Sequence, residues 1–220
     1  MPQHSEGPNK TRADKLKKAL SPYRDRVVVV SGPSAGAGKS TVVRKIVALG
    51  GARVWLSLSA TTRPPRADDT PGETYEFLGL AAFESLEASG GFLEANGVTE
   101  GQRYGTPVQP VIDHLRAGQF VILEIEIFGA KYIQQLIPAA FYFFLTPTTG
   151  GLDEDMIELR KRLEKRGTND AASVERRLIQ AKEEFALAEK FGFYTYVANP
   201  AGRPDEAATE MYEQMTLRSS

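Results

Sequence analysis

Four consecutive valines, residues 27–30, lead into Ser31-Gly32-Pro33-Ser34-Ala35-Gly36-Ala37-Gly38-Lys39-Ser40-Thr41. A short β-branched strand that opens through a glycine-rich turn onto Lys-Ser-Thr and a helix-forming segment leaves few folds open. Glycines let successive backbone N–H groups curl around phosphate oxygens, and the N-terminus of the next helix adds its dipole. In this setting Ser34, Gly36, Ala37, Gly38, Lys39, Ser40 and Thr41 form a loop for the phosphates of ATP. Lys39 would reach the β- and γ-phosphates, and the Ser40 hydroxyl would ligate Mg2+. The spacing is irregular, because five residues separate Gly32 from Gly38 where the motif has four. One extra residue, placed at Ala35, adds up to roughly 3.3–3.6 Å of chain. The competing reading is an incidental lysine after a glycine-rich turn, and the strand before and helix after count against it.

The rest of the composition fits an enzyme domain. A chain of 220 residues with 41% hydrophobic and 25% charged residues can bury one sizeable α/β core. A formal net charge of −1 gives no general affinity for nucleic acid or acidic membranes. With no cysteine, disulfides, thiolate metal sites and a cysteine nucleophile are excluded. No apolar run has the length of a membrane span and no secretory leader is visible, so the cytoplasm is the expected compartment.

Along the chain, strand and helix signals alternate. Strands are expected at 27–30, 54–60, 120–127, 140–145 and 194–198. Helices are expected at 40–49, 81–89, 108–117, 153–191 with a break at Gly167-Thr168, and 204–215. This order predicts a largely parallel sheet with helices on both faces. Residues 1–24 read as a polar N-terminal extension. Ala13 to Leu20 could form a short amphipathic helix there, either contacting phosphate or a partner subunit or, by the favoured reading, lying in a solvated mobile tail. Glu124 and Glu126 alternate on the apolar stretch 120–127, so a strand would point both to one face. Buried there, they would need a ligand, an arginine or Mg2+; the plainer alternative is an edge strand with one wet face. Past the second strand, Arg63 and Arg66 stand three apart on a segment stiffened by Pro64 and Pro65. This is the region outside the sheet's carboxyl ends where α/β ligands bind, and guanidinium forks suit phosphate oxygens.

Taken together the motifs resemble the guanylate kinase family. They are Gly32-Pro33-Ser34 with Gly38-Lys39-Ser40-Thr41, Ser59-Ala60-Thr61-Thr62-Arg63-Pro64-Pro65-Arg66, Gly72 with Tyr75-Glu76-Phe77, and Phe92-Leu93-Glu94. Tyr104-Gly105-Thr106, Arg162-Leu163 with Arg166-Gly167-Thr168, Arg176-Arg177-Leu178 with Ala181, and Val197-Ala198-Asn199 complete the series. The likeness spans about residues 25–215. It implies a three-layer P-loop fold with a core at 25–58, 107–147 and 192–217, a GMP-binding lobe at about 59–106 and a helical lid at about 148–191. It also implies that Arg63, Arg66, Tyr75 and Tyr104 hold the GMP phosphate. Ser59, Glu94 and Thr106 would read the guanine with Glu124 and Glu126, and Asn199 would lie on the adenine side. Lys39, Arg63, Arg162, Arg166 and Arg177 would carry transfer of the ATP γ-phosphoryl group to GMP, and to dGMP, with Mg2+ and without a protein nucleophile. Neither His4 nor His114 is needed. ATP and GMP are the expected partners, with no nucleic acid or membrane, in a monomer or homodimer.

A carboxylate at Glu94 has a chemical reason. Guanine offers N1–H and the 2-amino group side by side, two donors for one bidentate acceptor, which adenine lacks. Several positions depart from the family: Glu126 stands for its Asp, Phe128 for a common Gln, Ala95 for a Trp, and Pro200 for an Asp. The 94–104 and 148–155 segments are longer as well. These departures keep open a weak or inactive paralogue. A protein-binding module is disfavoured because Lys39 and the lid arginines remain, and a kinase for another acceptor is disfavoured by Ser59, Arg63, Arg66, Tyr75 and Glu94.

Overall fold

The computed structural model describes residues 8–34, 36–66, 69–97, 101–165 and 170–217. Ala35, the expected insertion, and Arg166, one of the expected lid arginines, fall outside them.

The valine run becomes β1 (Val27–Ser31), the middle strand of a five-stranded parallel sheet in which every β1 residue is buried. Parallel sheets carry helices on both faces, so a strand at their centre is apolar on both sides. Val27 and Val29 pack with Leu123, Phe144 and Ile133 on one face; Val28 and Val30 pack with Ile46, Phe143 and Met211 on the other. The strand order is β2 (Val54–Leu56), β7 (Phe120–Glu124), β1, β8 (Phe141–Thr146) and β9 (Thr195–Ala198). Helices α2 (Lys39–Gly50) and α8 (Pro204–Leu217) cover the second face. The first face takes α4 (Val108–Arg116), α5 (Ile127–Leu136) and α7 (Ala171–Phe191). This is the three-layer α/β architecture that the alternating pattern predicts.

A second, four-stranded sheet runs β4-β3-β6-β5, from β3 (Ala60–Thr61), β4 (Glu76–Phe77), β5 (Phe92–Gly97) and β6 (Arg103–Pro107). Helix α3 (Leu80–Ala88) seals it through Phe83, which packs on Phe92 at 4.4 Å between ring centroids. The α6 helix (Leu152–Lys165) and α7 make the helical hairpin beyond β8, and α7 starts on an Asp170 cap that accepts from the Ser173 N–H at 2.6 Å. Among the described residues no helix is long and apolar enough to cross a membrane.

Three sequence expectations are corrected. The strand expected over 54–60 breaks: after Leu56 one bond from Ser57 N–H to Ile122 O (2.8 Å) continues the ladder, and Ala60–Thr61 then joins the second sheet. The stretch 120–127 is also divided. Its strand ends at Glu124, and Glu126 is the N-cap of α5, with extended φ −72° and ψ 164°. An apolar run has no periodic mark where strand gives way to helix, so α5 was not anticipated. Finally, residues 8–20 are not a solvated tail. They form α1 (Pro8–Leu20), whose Leu16 and Leu20, four apart on one face, join the main core, while the Arg12 guanidinium donates to Phe92 O.

Candidate active site

The loop after β1 is shaped by groups that grip it from outside. Gly38 caps α2 in the left-handed region (φ 78°), and a Cβ there would lie 2.5 Å from Asn199 Nδ2, so both conformation and space require glycine. The Asn199 side chain is buried and donates from Nδ2 to Ala37 O at 2.8 Å. Arg162 on α6 donates to Gly36 O (3.1 Å), Asn199 O (2.8 Å) and Pro147 O (3.2 Å), and pairs with Glu158. Lys39 turns its ammonium back onto Pro33 O (2.7 Å) and Gly32 O (3.1 Å). Ser34, Gly36, Ala37 and Gly38 thus lie between β1 and α2, Lys39, Ser40 and Thr41 open α2, and Arg162 and Asn199 stand beside them.

Across the crevice, Thr61 and Thr62 fix the arginine segment. Thr61 Oγ1 accepts from Arg63 N–H at 3.1 Å and donates to Arg103 O at 2.9 Å, while Thr62 Oγ1 accepts from Arg103 N–H. The Arg63 guanidinium, only 5% exposed, lies over the rings of Tyr75 and Phe77 and pairs with Asp69 at 2.8 Å. Their hydrogen bond raises the Arg63 pKa and, together with an Arg66 N–H donated to Asp69 at 2.6 Å, holds the Asp69 carboxyl below its ordinary range. Tyr104 meets Tyr75 edge-on at 5.7 Å. Arg66 is exposed on the loop, and Ser59 lies half-buried between β2 and β3. Glu94 on β5 is 6% exposed and accepts from the Thr106 hydroxyl at 2.7 Å. Burial pushes its carboxyl up to about 7, against the bonds from Thr106 and with a smaller push from Glu126.

Glu124 closes β7, and Glu126, two residues on and still in extended backbone, caps α5. Glu124 accepts from Ser40 Oγ at 2.8 Å and lies near enough to Tyr75 to add to the burial that raises this phenol to about 12. It thus stands between the glycine loop and the arginine–tyrosine cluster. Glu126 opens to solvent on one side. Protein around the rest of its side chain and the Glu184 charge raise its carboxyl, and Lys39 opposes them. On α7, Arg177 lies three residues before Gln180 and seven before Glu184, so the three share a face. Gln180 and Glu184 both reach Ser34. Asp69, Gln180 and Glu184 were not read from the sequence as site residues. Asp69 lay in a polar loop and the other two in a charged helix, where nothing distinguishes them from solvated side chains.

A phosphate-type loop at the carboxyl end of a parallel sheet, facing a second sheet with a buried arginine and aromatic rings, defines a P-loop protein of the small nucleotide-kinase type. Comparison with known proteins narrows this class. The guanylate kinase family model matches residues 24–213, so the chain belongs to the guanylate kinase family. A guanylate kinase of Thermobifida fusca is 43% identical over 166 residues, 76% of this chain and 80% of the relative. One from Synechococcus sp. CC9902 is 40% identical over 169 residues, 77% of this chain and 86% of the relative. The crystal structure of guanylate kinase from Anaplasma phagocytophilum shares the fold, with a TM-score of 0.65 at 24% identity over 87% of this chain and 84% of that one.

Proposed function

We propose that this enzyme transfers the γ-phosphoryl group of ATP to the α-phosphate of GMP, and of dGMP, giving ADP and GDP, in the cytoplasm. The observation that carries the acceptor assignment is Glu94, a buried carboxylate oriented by Thr106 and suited to the paired N1–H and 2-amino donors of guanine. In this reading 25–58, 107–147 and 192–217 are the core, the segment 59–106 is the GMP lobe, and 148–191 is the lid.

An oxygen of the GMP phosphate attacks the γ-phosphorus as its bond to the β,γ-bridging oxygen breaks, and ADP leaves with the electron pair. No side chain forms a covalent intermediate, so the protein's task is to position the groups, neutralise charge and exclude water. Arg63, Arg66, Tyr75 and Tyr104 hold the acceptor phosphate. Ser59 and Thr106 complete the guanine pocket beside Glu94, and Glu126 completes its rim. Lys39 and the loop N–H groups hold the donor phosphates, and Asn199 keeps the loop in shape on the adenine side. Arg162, Arg166 and Arg177 bring positive charge from the lid. The exposed Ser40 hydroxyl, with the Glu124 carboxylate at 2.8 Å, is a hard oxygen pair that suits Mg2+. Ser40 would ligate the ion, Glu124 would orient its water shell, and the ion when bound supplies charge neutralisation at the donor phosphates.

The test is ADP release with ATP and Mg2+ over a panel of GMP, dGMP, AMP, CMP and UMP. Turnover is expected with the guanine nucleotides alone; turnover with none of the five would sink the reading. A narrower prediction concerns Asp69, which keeps Arg63 aimed. Asp69→Ala should raise the KM for GMP about tenfold, the worth of one charge-assisted bond, and leave the KM for ATP unchanged. Steady-state titration of each substrate against the other at saturation checks this.

A further inference from the structure

We propose that Glu184 is a positioning residue for the phosphate loop, clamping Ser34 to α7 and thereby setting ATP affinity. Deepening the kinase reading, the inference rests on it only for the kinetic part of its test. Glu184 is 7% exposed. One carboxylate oxygen accepts from the Ser34 N–H at 2.7 Å and the other from the Ser34 hydroxyl, while Gln180 Nε2 donates to Glu184 at 3.1 Å and to Ser34 Oγ at 3.2 Å. A buried carboxylate is costly unless such donors satisfy it, and here the donors belong to the loop itself.

The loop needs an anchor at this point. Lys39, Asn199 and Arg162 hold the loop by carbonyl oxygens, at Gly32, Pro33, Gly36 and Ala37. Glu184 takes the Ser34 N–H, immediately before the position where the sequence carries its extra residue. A longer loop with glycines at φ 83° (Gly36) and φ 78° (Gly38) has more conformations to lose when it closes on a triphosphate. Glu184 is itself rigid. Its neighbours on α7, Ala181, Phe185 and Ala188, are buried in the main core, and Phe185 packs on Phe144 of β8 at 5.5 Å. The clamp therefore transmits the position of the core to the front of the loop, much as a supporting shell fixes a site that binds ligand directly.

The experiment compares wild type, Glu184→Ala, Glu184→Gln, Ser34→Ala and Glu184→Ala with Ser34→Ala. Titration calorimetry with a non-hydrolysable ATP analogue and, separately, with GMP is combined with steady-state kinetics and thermal melts. Glu184→Ala should weaken the analogue and raise the KM for ATP about ten- to a hundredfold, with the GMP constants unchanged. Glu184→Gln should recover most of this, because its amide can accept from the Ser34 N–H and donate to the hydroxyl. The double variant should be little worse than Glu184→Ala alone, since the two residues act as one contact. Unchanged ATP binding, additive losses, or equal weakening of ATP and GMP with a lowered melting temperature would each overturn the proposal. Tighter ATP binding in Glu184→Ala would also overturn it, by making the carboxylate a competitor of the phosphates. A wild type that binds the analogue but turns over no acceptor would refute the kinase reading and leave the clamp to be judged by binding alone.

Discussion

Lys39→Ala is expected to lower kcat for phosphoryl transfer about 10³-fold while GMP still binds with its wild-type affinity. The Lys39 ammonium donates to Pro33 O at 2.7 Å and to Gly32 O at 3.1 Å. Moving even one donor from a carbonyl to a phosphate oxygen turns a bond charged on one side into one charged on both, which strengthens it. The gain grows as charge spreads over the equatorial oxygens of the γ-phosphoryl group, so its loss falls on kcat more than on binding. A smaller part of the effect has another origin. Without the ammonium the loop loses its bonds to Gly32 and Pro33, and the KM for ATP should rise as well, by several-fold. Lys39→Arg should recover little, because a planar fork on a longer stem cannot replace a compact ammonium folded back under the loop. Single-turnover rates at saturating ATP separate the two components, and a melting curve shows whether the fold survives. A rate within tenfold of wild type would remove Lys39 from the chemistry.

The sequence made the parallel sheet legible because a central strand leaves a strong mark: four valines with no polar residue among them can only be buried on both sides. The glycine loop was legible for a related reason, since Gly38 must have both a left-handed backbone and no Cβ beside Asn199. The second sheet was much less visible. Its β3 and β4 are two residues each, too short for any alternation to register, and its small core joins Ala60, Phe83 and Phe92 from three separate segments. The transition at Glu124 to Glu126 failed for a different reason. Strand and helix are both apolar there, and the cap at Glu126 makes no side-chain bond to its helix that would advertise it. Single-residue contacts across the fold were the least legible. The clamp joins residues 150 apart, Ser34 and Glu184, and the Arg63–Asp69 pair depends on how a proline-stiffened loop curls back. Charge alone cannot mark either among so many solvated glutamates and aspartates.

The second large effect should appear on replacing Glu94, and it should depend on pH. Burial raises this carboxyl from 4.5 to about 7 in the folded protein. The folded state therefore holds a proton that the unfolded state releases, and stability falls as pH rises from about 4.5 to about 7, then levels. The full loss is on the order of 3 kcal/mol. Glu94→Gln, which matches the protonated acid in shape, should melt close to wild type at pH 5 and several degrees higher at pH 8. Binding runs in the opposite direction. Guanine needs the ionised form, so below pH 7 wild-type affinity for GMP should weaken by about tenfold per pH unit, with one proton released on binding. The nucleotide's own phosphate, with a second pKa near 6 as for a phosphate monoester, titrates equally in both proteins and cancels in the comparison. In Glu94→Gln the extra step near 7 should vanish. Its kcat/KM for GMP should drop on the order of 10²- to 10³-fold, because the amide can accept from one guanine donor and must turn its own N–H toward the other. IMP, which lacks the 2-amino group, should lose much less. Calorimetry in buffers of different ionisation enthalpy counts the proton directly. A melting difference that is the same at pH 5 and pH 8, or a GMP affinity in wild type that shows only the phosphate titration, would mean that Glu94 is ionised without its ligand and that burial does not govern the pocket.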